Sequence, residues 1–343
     1  MAKRRPRIDD IAVRAGVSKG AVSFALNGRP GVSEETRRRI LEIAAELDWH
    51  PNSAARNLGR SKTDVVGLVI ARPARTLSVE PFFALLTSGI QAALAQSGLG
   101  LQMQIVEDVA AEIGVHRRWW NERRVDGLIL IDLQVDDARI PVLEELGVPA
   151  VVVGGPGRHG TVASVWADDR KAMTTILDHL LELGHERIAH VAGPPQFLHT
   201  QRRHEAVTAV AQRLGSATVT TVNTDFSDGE GAAATRQLLA APVPPTAIVF
   251  DSDVMALAGL GVARELGLDV PRDLSIVAFD DSILTRLTHP SITALSRDTF
   301  DFGFQVASAL IDQLDGGAPV LEREQVTPQL AVRQSTAPPA RTT

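Results

Sequence analysis

The chain has 343 residues, 44% of them hydrophobic, enough apolar material for a small domain plus a two-lobed one. It contains no cysteine, which excludes disulfides and cysteine-ligated metal sites and suits a reducing compartment. The net charge of −6 is unevenly spread: residues 1–62 hold 13 Lys/Arg against 7 Asp/Glu, a net of +6, and the remainder hold 22 against 34, a net of −12. One end is suited to meet phosphate and the rest is not. Residues 1–7 are basic, but no apolar segment of a secretory signal follows them, and no apolar run is long enough to span a bilayer; a cytoplasmic protein without membrane attachment is expected.

Two short amphipathic segments flank Gly16. Ile8, Ile11, Ala12 and Ala15 recur at three- and four-residue steps and so share one helical face, Gly16 supplies the freedom a tight turn needs, and Ser18 can cap a second helix. In that helix Val22, Ala25 and Leu26 fall on a packing side; Lys19, Gly20, Ser23 and Phe24 fall on the other, free to touch something. A third helix starts at Ser33, with Glu34 and Glu35 at its positive end and Ile40, Leu41, Ala44 and Leu47 facing inward. Arg37-Arg38-Arg39 is either a solvated helix face or a phosphate contact.

Residues 52–59 read as a short helix or an unformed linker, too brief to be stable alone. From Asp64 the pattern changes to compact apolar runs of strand length at 65–70, 99–105, 127–131 and 150–153, with helical segments at 83–96 and 140–146. That alternation predicts a parallel sheet with right-handed crossovers. A second round starts near Val165, with helices at 171–183, 200–214, 229–239 and 254–266 and strands at 187–192, 218–222, 247–250 and 274–279. Two α/β lobes are implied. Residues from 331 on, rich in Pro, Thr and Ala, read as loose, and 336–343 are expected to form a free tail.

Motifs for catalysis are incomplete. Gly259-Leu260-Gly261 begins like a dinucleotide fingerprint but lacks the third glycine and sits inside a helix, and residues 155–161 have no lysine before Thr161 for a phosphate loop. His185-Glu186 and His204-Glu205 each lack the second histidine of a zinc helix. No catalytic residue, metal or cofactor is therefore expected, although folding could assemble residues that spacing does not pair.

Gly16-Val17-Ser18-Lys19-Gly20-Ala21-Val22-Ser23, Leu26-Asn27-Gly28, Val32-Ser33-Glu34-Glu35-Thr36-Arg37 and Pro51-Asn52-Ser53-Ala54-Ala55-Arg56-Asn57-Leu58 stand in one ordered run. The run resembles the DNA-binding headpiece of the lactose-repressor (LacI) family. A lone helix-turn-helix pattern is common; four ordered blocks are specific. The resemblance implies a small all-α helix-turn-helix headpiece (1–51), a hinge helix and linker (52–63), and a two-lobed α/β periplasmic-binding-protein-like core (64–335). It further implies DNA contacts from Ser18, Lys19, Gly20, Ser23, Phe24, Asn27 and Arg56. Leu58 matches the leucine that wedges a minor-groove base step, the alternative being an apolar seam between hinge and core. Phe24 stands where the family often has a polar or basic residue, and it invites contact with a thymine methyl instead.

The resemblance continues through Asp126-Gly127-Leu128-Ile129, Leu183-Gly184-His185, Ala192-Gly193-Pro194, Asp253-Val254-Met255-Ala256 and Phe279-Asp280-Asp281. It implies three chain crossings between the lobes, with a helix at about 299–314 returning to the first. Arg203 matches an effector-clasping arginine, Asp280 a carboxylate that binds effector hydroxyls, and Asp253 the Asp of an Asn-Asp pair. Phe82 and Phe83 match the segment lining the cleft, and Phe226 a stacking aromatic. Glu80 and Ser252 replace the family's asparagines, and Ala206-Val207 its Gly-Phe, so the cleft is customised. Arg203 and Asp280 could alternatively form a structural ion network.

The expected protein is a homodimeric repressor of a pseudo-palindromic DNA operator, controlled by a small-molecule effector, preferentially a saccharide. A purine-type co-repressor is an alternative effector. The rivals from other classes are a solute-binding protein, which the core alone suggests, and an α/β enzyme. No leucine heptads follow Leu330, which favours a dimer over a tetramer.

Overall fold

The computed structural model describes residues 6–49, 62–77, 80–157, 159–214, 218–317 and 320–340. The chain forms two compact units, Met1–Thr63 and Asp64–Thr343. Most of the expected hinge, including Arg56 and Leu58, lies outside the described residues.

In the first unit, α1 (Ile8–Ala15), α2 (Lys19–Leu26) and α3 (Glu34–Glu46) surround a core of Ile11, Ala12, Ala15, Val22, Ala25, Ile40, Ile43 and Ala44. Gly16 ends α1 in the left-handed region at φ 64°, a conformation glycine takes without steric cost. Ser18 Oγ accepts the Ala21 N–H at 3.2 Å and Ser33 Oγ that of Thr36 at 3.3 Å, so each hydroxyl caps its helix as expected. One inward assignment needs correction: Leu41 is 47% exposed, and Ile43 takes the core position. At 3.6 residues per turn 40, 43, 44 and 47 share a face that 41 leaves. Within the arginine run, Arg37 donates to the Arg29 carbonyl at 2.9 Å and Arg39 to that of Ala15, while Arg38 is exposed.

The second unit begins with β1 (Val65–Ala71), α4 (Ala74–Leu77), α5 (Pro81–Gln96), β2 (Gly100–Val106), α6 (Val109–Asn121), β3 (Gly127–Leu130), α7 (Arg139–Leu146), β4 (Ala150–Val153) and β5 (Ala163–Trp166). It continues with α8 (Asp169–Glu182), β6 (Arg187–Ala192), α9 (Leu198–Leu214), β7 (Thr218–Asn223), α10 (Asp228–Leu239), β8 (Ala247–Phe250), α11 (Asp253–Glu265), β9 (Ser275–Ala278), α12 (Ile283–Leu287) and β10 (Thr293–Ser296). The last elements are α13 (Thr299–Leu314), β11 (Glu322–Glu324) and β12 (Gln329–Ala331).

The strands make two six-stranded sheets, β11-β5-β4-β3-β1-β2 in lobe 1 and β12-β10-β9-β8-β6-β7 in lobe 2. All pairings are parallel except that of β10 with β12. Helices cover both faces of each sheet, which is why β3, β4, β8 and β9 are buried throughout and read as continuous apolar runs. The chain crosses between lobes after β5, after β10 and between β11 and β12, and α13 sends Phe302, Val306 and Leu310 into the lobe 1 core.

The tail is not loose as far as Ala337. Ser335 is fully buried and bonded to the Ile276 carbonyl, Thr336 meets His179 and Thr293, and the Ala337 N–H donates to Ser275 Oγ at 3.1 Å. Composition suggested a free end because it does not register that small hydroxyls can complete the unpaired margin of a sheet.

Helices α5 and α13 meet backbone to backbone. A Cβ on Gly89 would run into the Phe300 carbonyl, and one on Gly303 into that of Leu86. Gly303→Ala should therefore push the helices apart and destabilise the core by about 1–3 kcal/mol, as overpacking does, seen as a lower urea midpoint. An unchanged midpoint would show that the contact yields freely.

Candidate functional site

Two surfaces carry the expected chemistry, and the first is the exposed side of α2. Lys19, Gly20 and Phe24 are all exposed there, Phe24 by 41%. Lys19 pairs with Asp9 at 2.8 Å, but both ends of the pair are well solvated, so a phosphate can replace the carboxylate at little cost. A Cβ on Gly20 would meet nothing nearer than 3.8 Å, so the fold itself does not require glycine, and the bare backbone lets a partner approach closely. Asn27 Nδ2 donates to the Ser23 carbonyl at 2.8 Å and toward Ser23 Oγ at 3.4 Å, and Ser18 is engaged as the cap. The ring of Phe24 leans on Gly31, where a Cβ would stand 3.2 Å from it.

The second surface is the cleft between the lobes of the second unit, at the C-terminal ends of the strands, leaving about 680 Å³ of space partly open to solvent. Phe82, Phe83, Arg203, Phe226 and Asp280, all expected there, line it. Phe226 holds a positive φ of 72°, rare for an aromatic residue, and its ring lies flush on Gly193, where no Cβ would fit. Asp253 is not among the lining residues: it turns back to accept its neighbour Val254's N–H at 2.8 Å, and burial pushes its carboxyl up to about 6. Asp251 and Ser252, whose Oγ caps α11, line the cleft beside it.

Sequence reasoning did not find Arg72, Asp132, Asp169, His199, Asp251 and Arg297, all of which line the cleft. Four of them stand immediately after, or within two residues of, the ends of β1, β3, β8 and β10. The general rule that ligands bind beyond the carboxyl ends of parallel strands was a signal that could have found them.

The polar groups form three arginine-centred clusters. Arg72 donates to Asp132 through Nε at 2.6 Å and Nη2 at 2.9 Å, and through Nη1 to Glu80 at 3.3 Å. Arg203 lies with its guanidinium 3.5 Å over the Phe279 ring, 3.5 Å from Asp169 and 3.4 Å from Asp251. Arg297 donates to Asp280 at 2.7 Å. The ion-network reading of Arg203 and Asp280 and the cleft-lining one thus hold together.

Burial pushes the Glu80 carboxyl up to about 8 against the pull of Arg72, so at neutral pH it is mostly an O–H donor. Burial also pushes Asp251 upward, but Arg203, the His190 ring at 2.9 Å and the Gly193 N–H at 3.0 Å outweigh it and keep the group ionised. Burial beside Arg203 lowers His199 to about 3, leaving a neutral ring stacked on Phe197 at 5.4 Å. The cleft therefore offers donors, acceptors and flat apolar faces, with its cations already matched by carboxylates. Among the described residues no cluster could hold a metal ion.

A helix-turn-helix unit followed by a two-lobed α/β core is the architecture of a DNA-binding regulator, and comparisons with known proteins identify its family. Residues 7–52 match the profile of bacterial regulatory proteins of the lacI family, and residues 177–336 that of a periplasmic binding protein-like domain. The HTH-type transcriptional regulator CelR of Thermobifida fusca is 33% identical over 342 residues, 97% of this chain and 99% of that protein. A solved transcriptional regulator CelR–cellobiose complex is 30% identical, with a TM-score of 0.72 over 96% of this chain and 100% of that one. The lac repressor dimer bound to operator and the anti-inducer ONPF is 25% identical, with a TM-score of 0.86 over 97% and 100%. The chain belongs to the LacI family and is a transcriptional regulator rather than an enzyme. Among the described residues no helix is long and apolar enough to cross a membrane.

The raised Glu80 carboxyl makes a pH prediction. A folded-state value above the ordinary one contributes stability that is complete below the usual carboxylate range and is lost as pH rises through about 8. Stability of the Glu80→Gln variant relative to wild type should therefore increase as pH is raised from about 5 to about 9. Urea unfolding across that range checks it, and a pH-independent difference would contradict the protonated state.

Proposed function

We propose that this regulator is a homodimeric repressor whose affinity for a pseudo-palindromic operator is set by a sugar or glycoside held between the core lobes. The observation that carries the effector assignment is the company kept by Arg203 and Asp280: a fork of donors and an acceptor sharing one cleft with Phe82, Phe226 and Phe302. A saccharide presents hydroxyls that need such partners and an apolar ring face that packs on aromatics. The cellobiose bound by a relative supports the same class. A purine would also stack, and it is the second reading the aromatics allow.

Ligand in the cleft would favour one relative angle of the lobes, alter the separation of the two hinges in a dimer, and so change operator affinity. In the headpiece, Lys19, Gly20 and Phe24 read base edges and Ser18, Ser23, Asn27 and Arg56 position the backbone, while Leu58 wedges the minor groove. Exposed Met103 and Ile105 on edge strand β2, with Ile283 and Leu287 on α12, are apolar surface suited to a second copy. A dimer bound to operator is known for the lac repressor.

Replacing Arg203 or Asp280 by Ala should weaken effector binding by about 1–3 kcal/mol, roughly 5- to 150-fold, while operator binding without effector persists. Calorimetry against a panel of mono- and disaccharides, read beside a gel shift, tests this; the saccharide assignment fails if only a nucleobase or other non-sugar binds and moves the shift.

Operator binding itself should weaken with salt, with a log–log slope of about −0.9 per phosphate neutralised, and joint replacement of Lys19, Gly20 and Phe24 should change the preferred sequence. Selection from a random DNA pool measures the latter, and an unaltered preferred site would remove these three residues from base reading.

A further inference from the structure

Two arginines reach across the cleft in opposite directions. Arg72 follows β1 in lobe 1, and two of its nitrogens are fastened to Asp132 of the same lobe. Its guanidinium carbon lies 5.0 Å from the ring centre of Phe197 and 4.7 Å from that of Phe226, both packed in a lobe 2 core. Arg297 reverses the arrangement. It follows β10 of lobe 2 and is fastened to Asp280, which follows β9 of lobe 2; its guanidinium carbon lies 4.9 Å from the ring centre of Phe82 and 5.9 Å from that of Phe302, both packed in a lobe 1 core. All four separations fall within the roughly 6 Å over which a cation is drawn to an aromatic ring.

The carboxylates decide what gives way when the lobes part. Each arginine is tied to its own lobe by a charge-assisted hydrogen bond, the stronger kind, so it stays with that lobe. What breaks is its contact with the rings opposite, and beside Phe197 also the backbone bonds from Leu198 N–H to the Leu133 carbonyl at 2.8 Å and from Val135 N–H to the Gln196 carbonyl at 3.2 Å. Because both cations are matched by a carboxylate, closure leaves neither of them bare in the cleft.

We propose that Arg72 and Arg297 are positioning residues of the effector response, paired clasps that hold the lobes closed over the cleft before any ligand arrives. The proposal takes the cleft as the effector site but does not depend on which ligand fills it. Each arginine's ring contacts together are worth roughly a 2- to 30-fold bias toward the closed form. A ligand that stacks on Phe226 or Phe82 competes with the clasp for the same rings, so the energy of closure is already partly present and ligand acts by replacing it.

The absence of native cysteines makes a direct test clean. Spin labels are attached at Glu107→Cys, just past β2 in lobe 1, and Asp228→Cys, at the start of α10 in lobe 2, both exposed positions. Double electron–electron resonance is read on the full-length, ligand-free protein diluted with excess unlabelled protein, so that only pairs within one chain contribute. The parent should give one narrow distribution. Arg72→Met and Arg297→Met should each shift the closed-to-open ratio roughly 2- to 30-fold toward a longer distance. Arg297→Lys, which keeps a cation, should restore closure. Phe226→Leu removes a ring without touching the Arg72–Asp132 pair and should open the cleft in the same way if Arg72→Met folds poorly. Arg117→Met, which breaks only an exposed pair with Glu145 on lobe 1, should change nothing. An already broad parent distribution, or one unmoved by Arg72→Met, Arg297→Met and Phe226→Leu, overturns the clasps. Opening in those variants with no sugar of the panel binding sustains the clasps and overturns only the saccharide assignment.

Discussion

Three guanidiniums are sunk between the lobes, and a buried cation is tolerated only where carboxylates meet it with good geometry. Arg72 has Asp132, Arg203 has Asp169 and Asp251, and Arg297 has Asp280. This matching governs the cleft. It leaves the rings of Phe82, Phe226 and Phe302 as apolar surface among neutralised polar groups, and a neutral Glu80 as an O–H donor. An anionic ligand entering such a site would have to compete with resident carboxylates for every arginine, whereas hydroxyls can join the existing networks.

The matching depends in turn on structure outside the cleft. Asp132 lies in the segment after β3, and Arg139 holds that segment by donating to the Ile131 and Asp132 carbonyls at 3.0 Å each. Arg139 is itself buried and fixed by Asp137 and Glu112. In lobe 2 His190 performs the comparable task. Its ring supports Asp251 from the neighbouring strand β6, and Asp251 then meets Arg203. Polar residues inside these lobes thus serve to place other polar residues at the strand ends, where no ladder of backbone hydrogen bonds would hold them.

Lobe 1 is completed by a helix that arrives late in the chain. Helix α13 packs on α5 at Gly89 and Gly303, and the chain immediately before it carries Arg297. The crossover that closes the lobe 1 core therefore also delivers an arginine to the cleft. Packing and ligand chemistry are coupled through a few residues of backbone.

The headpiece was legible in the sequence because its determinants are local: Gly16, Ser18 and Ser33 act on residues within a turn of themselves, and apolar spacing marks the buried face. The alternation of apolar runs and helical segments likewise specified two α/β lobes, since strands covered on both faces leave an uninterrupted apolar trace. Short edges were not legible. Strands β11 and β12 have three residues each and little burial, and helix α6 hides Glu112 and His116 in its buried face, which blurs the amphipathic pattern. In the cleft, motif matching supplied Phe82, Phe83, Arg203, Phe226 and Asp280, gave Asp253, which lies just behind the lining, and did not find Arg72, Asp132, Asp169, His199, Asp251 and Arg297. The pair Arg72–Asp132 spans 60 positions and Asp169–Arg203 spans 34. Residue type and local period fix which face of an element is apolar, but only the closing of parallel sheets side by side decides which strand ends, and so which charges, meet.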